Sequence, residues 1–98
     1  MVPVVWDTWL KSGAEAEGFQ LTRQVWSDRW SFDGYLSHQI LVDEDAPGHL
    51  IACAQWQRRE EAEAVLAKDK GSETIRQRTP LLARPRERWV TCEDRAAP

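Results

Sequence analysis

The sequence predicts one α+β domain whose elements run in the order β-α-β-β-α-β. Three observations predict it. Runs rich in β-branched and aromatic residues recur at Val2–Leu10, Tyr35–Val42, His49–Trp56 and Arg86–Cys92, the composition of strands. Two intervening stretches, Ala14 to about Trp30 and Arg58–Lys68, place apolar residues at helical intervals. Only the polar turn DEDAPG separates the middle two strands, which makes them a hairpin. This is the split βαβ arrangement of ferredoxin-like folds, a four-stranded antiparallel sheet with both helices on one face.

In the first strand Pro3 sits near the start, where a missing N–H does least harm. Lys11-Ser12-Gly13 is a turn, and Ser12 with Glu15 three residues on has the form of a capping box. The first helix carries Phe19, Val25, Trp26 and Trp30 at spacings of seven and four along one stripe. Gly18 costs that helix about 1 kcal/mol relative to alanine, which is tolerable where the helix approaches another backbone closely. Ser31–Gly34 breaks the helix. Leu36, His38, Ile40 and Val42 share one side of the second strand. The second helix presents Ala62, Val65 and Leu66 inward and its charges outward. A further short helix fits around Ile75, limited by Pro80. The tail from about residue 94 is expected to fray.

Ninety-eight residues make a single domain, 1–98. A chain this short buries only about 60–65% of its unfolded surface, and the helix-free face of the sheet needs a cover. Two sheets packed face to face, a homodimer, would supply it. A net charge of -3 and a pI near 5.3 argue against a nucleic-acid partner. Arg76, Arg78, Arg84, Arg86 and Arg88 cluster late, but Glu73, Glu87, Glu93 and Asp94 are interleaved with them, which reads as a solvated mixed face. No run approaches the ~20 apolar residues of a membrane span, and MVPVVWDTWLKSG lacks the basic start and apolar stretch of a signal peptide. Cys53 and Cys92 both fall in strand-like segments and read as buried thiols in a reducing cytoplasm, with a disulfide left open. There is no Gly-rich phosphate loop, no CxxC or HxxxH metal spacing and no G-x-S-x-G elbow.

Six tryptophans in so short a chain mark an aromatic core, pocket or interface. The stretch GHLIACAQW bears on the choice. Leu50, Ala52, Ala54 and Trp56 share one strand face; His49, Ile51, Cys53 and Gln55 share the other. The two alanines leave room before the indole of Trp56. Either Trp26 and Trp30 from the first helix fill that room or a flat ligand does.

The run AQW before a charged helix, GYL after the first helix, LLARP before the last strand and the element order together resemble the antibiotic biosynthesis monooxygenase family, from Val4 to Glu93. The resemblance implies a dimeric α/β barrel with a pocket in each monomer between helices and sheet. Some members of that family oxidise phenols or anthrones with O2 and no cofactor; others degrade haem. In the anthrone-oxidising members a tryptophan closes the third strand, which Trp56 matches. An asparagine four residues earlier falls on Ala52, which has no polar side-chain atom. The implied ligand, a small planar aromatic, would lie among Trp26, Trp30, Tyr35, Ala52 and Ala54.

A base must then come from elsewhere. His38 suits best, since imidazole titrates near neutrality. His49 starts its strand beside the turn and reads as exposed. Asp7, on a central strand, must be paired if buried, and Arg88 or Arg86 on the last strand are conceivable partners. The haem branch does not fit: its axial histidine follows the third strand, and residues 57–98 contain none. Its first-strand asparagine falls near Trp6 and its helix tryptophan near Val65. No cofactor is expected. Three readings follow: a cofactor-free monooxygenase using Trp56 and His38; a non-catalytic dimeric module for a small hydrophobic ligand; and an isomerase or decarboxylase with His38 or Asp7 as base.

Overall fold

The computed structural model describes residues 1–94. β1 (Val2–Trp9) and β3 (His49–Trp56) form the centre of a four-stranded sheet, with β2 (Tyr35–Val42) and β4 (Glu87–Val90) at its edges, in the order β2-β3-β1-β4. Every neighbouring pair is antiparallel. α1 (Glu15–Asp28) and α2 (Arg59–Asp69) are the crossover helices, and α3 (Glu73–Arg78) is the short helix around Ile75. This is the expected α+β ferredoxin-like arrangement. β4 stops at Val90, two residues short of the expected end, and leaves Cys92 exposed rather than buried. Both cysteines are free thiols. The tail beyond Asp94, expected to fray, lies outside the described residues.

Strict alternation explains the core. Along β1 from Val4 onward and along all of β3 every second residue is buried, because successive side chains on a strand point to opposite faces. Val4, Trp6, Ala52, Ala54 and Trp56 join Trp26 of α1 and Ala62 and Val65 of α2 in one apolar cluster. Leu66, expected inward, is 37% exposed.

Local chemistry departs from expectation at the start of α1. No capping box forms, and Ala14 is the N-cap residue. Glu15 instead turns back and accepts the Gly13 N–H with both carboxylate oxygens, at 3.1 and 3.0 Å. Gly18 is indeed a close approach, but to a side chain: a Cβ there would lie 2.5 Å from a methyl of Leu10. At the other end of α1 the chain tightens into a 3₁₀ turn, Arg29–Ser31. That turn places Arg29 inside and leaves Trp30 75% exposed. Trp30 therefore does not lie over the alanines of β3.

Candidate functional site

A cavity of about 390 Å³ opens between α1 and the β2–β3 hairpin. Phe19, Arg23 and Ser27 line it from α1, His38, Ile40 and Val42 from β2, and Leu50 from β3. Its size lies at the small end of the ~300–1,000 Å³ range of small-molecule sites. The residues at this wall are chosen by register. A bulge between Tyr35 and Ser37 turns Leu36 out to solvent, 50% exposed. Beyond the bulge His38 pairs with Ala54, Ile40 with Ala52 and Val42 with Leu50. Directly paired residues share a sheet face, so His38 stands on the same face as Trp56. Sequence alone leaves that relation open.

His38 is embedded in aromatics. Its Nδ1 lies 2.6 Å from the Tyr35 hydroxyl. Its ring centroid is 5.6 Å from that of Trp26. Tyr35 in turn meets Trp56 edge-on, centroids 5.8 Å apart. Burial lowers the His38 pKa below its ordinary 6.5, and the charge of Arg29 lowers it further. The ring is therefore neutral at pH 7, the form that can accept a proton.

The remaining expected site residues are placed as follows. Trp56, Trp26, Ala52 and Ala54 belong to the closed apolar cluster, with Ala54 fully buried and Trp56 2% exposed. They back the cavity rather than line it. Tyr35 bridges the two through His38 and Trp56. Trp30, on the exposed 3₁₀ turn, belongs neither to the cavity lining nor to the apolar cluster. Phe19, Arg23 and Ser27 are lining residues that sequence reasoning missed. Phe19 was legible on the apolar stripe of α1, whereas Arg23 and Ser27 carry no signal beyond their position one turn apart.

A second polar constellation sits on the opposite face of the sheet. His49 donates from Nδ1 to Asp43 at 2.8 Å and from Nε2 to Asp7. The Trp9 indole N–H also donates to Asp7, at 3.1 Å. His49 is not exposed as expected, and Asp7 is paired to histidine and indole rather than to Arg86 or Arg88. With a carboxylate on each nitrogen, the ring can donate from both only as the imidazolium. Desolvation is the largest single influence on this ring and lowers its pKa, but the bonds and charges of Asp43 and Asp7 together raise it above 6.5. The carboxylates bind opposite edges of one ring, and among the described residues no group of three or more His, Cys, Asp or Glu could hold a metal ion.

The late arginines divide. Arg76 is on the surface beside Glu73, as a solvated face would have it. Arg78 is buried at 1% exposure, and Arg86 and Arg88 lie over the Trp6 ring at 4.0 and 5.5 Å. The chain segment before β4 explains this reversal: the Ala83 N–H bonds the Trp9 carbonyl at 2.7 Å, holding the segment against the end of β1. No helix of the described residues is long and apolar enough to cross a membrane.

A scan of protein-family models finds no match for the chain, and a search of curated proteins finds none either. Solved structures do match. The chain is similar to an antibiotic biosynthesis monooxygenase, with 18% identity over 96% of this chain and 99% of that one and a TM-score of 0.77. It is similar to SnoaB, a cofactor-independent oxygenase from Streptomyces nogalater, with 16% identity over 98% and 97% of the two chains and a TM-score of 0.77. It is also similar to Rv0793 from Mycobacterium tuberculosis, with 22% identity over 98% of each chain and a TM-score of 0.74. The chain thus has the fold of the antibiotic biosynthesis monooxygenase structures along nearly its whole length.

Proposed function

We propose that the protein is a small cofactor-independent monooxygenase that takes a planar, electron-rich phenol or anthrone into the cavity between α1 and the β2–β3 hairpin. The observation that carries this reading is His38 on the cavity wall, held by Tyr35 at 2.6 Å. In the tautomer that acts as a base, Nδ1–H donates to the Tyr35 oxygen and Nε2 keeps its lone pair. His38 removes the acidic proton of the substrate. The resulting anion passes one electron to O2, giving superoxide and a carbon-centred radical. The two combine, the proton returns from His38, and loss of water from the hydroperoxide leaves a carbonyl. One oxygen atom ends in the product and one in water. Arg23 lines the cavity and in this reading steadies the substrate anion. Trp56 acts as a positioning residue through its edge contact with Tyr35. The likeness to SnoaB supports the reading.

Oxygen uptake tests it, with a panel of anthrones and naphthols as substrates. Wild-type protein should consume O2 with one of these classes, and His38→Ala should lose roughly 10²–10⁴-fold of the rate. Turnover of a substrate without O2 would replace this reading with an isomerase or decarboxylase using the same base. A non-catalytic binding module is the reading favoured by one observation, the closure of Trp26, Ala52, Ala54 and Trp56 into a core without a polar partner at position 52. It predicts ligand-induced tryptophan quenching with no uptake for any compound.

The helix-free face also enters this proposal. Val5, Ile51 and Cys53 lie half-buried there in the single chain, with Leu41 and Trp89 exposed at 44% and 47%. A second copy packed on this face makes the homodimer, and light scattering on the purified protein should give twice the chain mass. Two free thiols suit a protein working in a reducing cytoplasm.

A further inference from the structure

Three guanidinium groups converge inside the protein with one carboxylate among them. Arg29 follows α1, Arg78 ends α3, and Arg86 reaches in from the segment before β4 to donate to Thr8 Oγ1 of β1 at 3.1 Å. Arg29 and Arg78 are each 1% exposed. Asp69, at the end of α2, takes a two-pronged bond from Arg29 at 2.7 and 2.9 Å. That bond balances the charge of one arginine and leaves two positive charges in excess.

Two of these groups each have one flat face covered. Arg29 lies over the Trp26 ring at 4.6 Å and Arg86 over the Trp6 ring at 4.0 Å. What remains is their N–H edges. Nε of Arg29, Nε and Nη1 of Arg78 and Nη2 of Arg86 are buried and find no acceptor among the described residues. Leaving a buried polar group unsatisfied is destabilising, and more so when it is charged. Four such donors on neighbouring cations suit an acceptor that carries negative charge.

We propose that this interior site, walled by Trp6 and Trp26 and gripped by Arg29, Arg78 and Arg86, binds a small oxyanion. Its shared chemistry is a group of negatively charged oxygens, either free inorganic phosphate or the carboxylate of an organic acid. Guanidinium edges are suited to both. The electrostatics agree. Burial, then repulsion from Arg78 and Arg29, pushes the Arg86 pKa down to about 8, with Asp69 opposing. Burial and the charge of Arg29 push Arg78 down to about 10, again against Asp69. An anion at the site would relieve that repulsion. The site does not depend on the cavity beside His38 being catalytic.

The test uses the full chain with phosphate or benzoate as probe, against chloride at equal ionic strength. Millimolar probe should raise the thermal midpoint by roughly 5 °C. Arg76→Met, on the surface of the same helix, should keep that response, and Arg78→Met should lose it. A response to phosphate alone identifies an inorganic anion; a response to benzoate alone identifies an organic acid. In nitrogen-labelled wild-type protein the Nε–H signals of Arg29 and Arg78 should move on titration while that of Arg76 stays. This second readout decides the matter if Arg78→Met does not fold. Unmoved Nε–H signals, or a midpoint response that survives Arg78→Met, overturns the proposal.

Discussion

Trp9 and His49 lie ring on ring across the β1–β3 ladder, their centroids 3.9 Å apart and their planes 8° from parallel. Arg84 covers the other side of the indole at 4.1 Å. Asp7 ties the stack together, since it accepts from both rings. Asp7 and Asp43 thereby favour the cationic form of His49 on the helix-free face, while burial and then Arg29 favour the neutral form of His38 on the helix-covered face.

The two histidines should therefore titrate on opposite sides of 6.5. The chain contains no other histidine, so two ring signals followed by NMR against pH resolve the question. Stability follows with opposite signs. His49, with its pKa raised, contributes stability that is complete below 6.5 and is lost as pH rises through its folded value. His38, with its pKa lowered, contributes stability that is complete above 6.5 and is lost as pH falls through its folded value. Their joint contribution peaks near 6.5. His49→Gln should flatten the alkaline side of a stability-against-pH curve and His38→Gln the acid side. A pair of midpoints on the same side of 6.5 would contradict the environments described.

Trp56 and Trp30 are chemically the same residue with opposite burial, 2% and 75% exposed. Trp56→Ala should cost ~3–5 kcal/mol as a core truncation. Trp30→Ala should stay within about 0.5 kcal/mol. Urea unfolding of both variants measures the difference, and equal losses would mean that Trp30 packs somewhere other than on an exposed turn.

Gly18→Ala sets two effects against each other. Alanine favours a helix over glycine by about 1 kcal/mol. Its methyl would, however, overlap Leu10, which is 4% exposed and has little room to move. Overpacking of this kind costs roughly 1–3 kcal/mol, so net destabilisation is expected. Trimming the neighbour with Leu10→Val in the same protein should recover part of the loss. A more stable Gly18→Ala protein would refute the contact.

Asp69→Asn removes the one carboxylate among the buried arginines. Breaking one side of a buried pair costs about 3–5 kcal/mol, because the other charge is left uncompensated. Adding Arg29→Met to Asp69→Asn should restore much of that loss. A double-mutant cycle by chemical denaturation gives the coupling, and a coupling near zero would mean that Arg29 and Asp69 do not depend on each other.

Much of the fold was legible because it rests on periodicity. The alternation in His49–Trp56 marks Leu50, Ala52, Ala54 and Trp56 as one face, and the structure buries all four. The hairpin turn and the two crossover helices follow from local chemistry of the same kind. The candidate site was legible only in part. His38 was visible as a titratable group on a strand, but its partners were not, since a bulge between Tyr35 and Ser37 sets which way it faces.

The sequence by itself determined the element order, the faces of the central strands and the small residues that admit the large indoles. These depend on residue type and spacing along a single segment. Tertiary structure alone decided that Arg29 rather than Trp30 turns inward. A 3₁₀ turn advances each residue by about 120° instead of the 100° of an α-helix, so the seven-and-four spacing of α1 fails at its end. It alone decided that Arg78 and Arg86 are interior rather than solvated, and that Asp7 meets His49, 42 positions away. Those outcomes depend on which segments the sheet and helices bring together, and spacing within a segment carries no information about groups contributed by another.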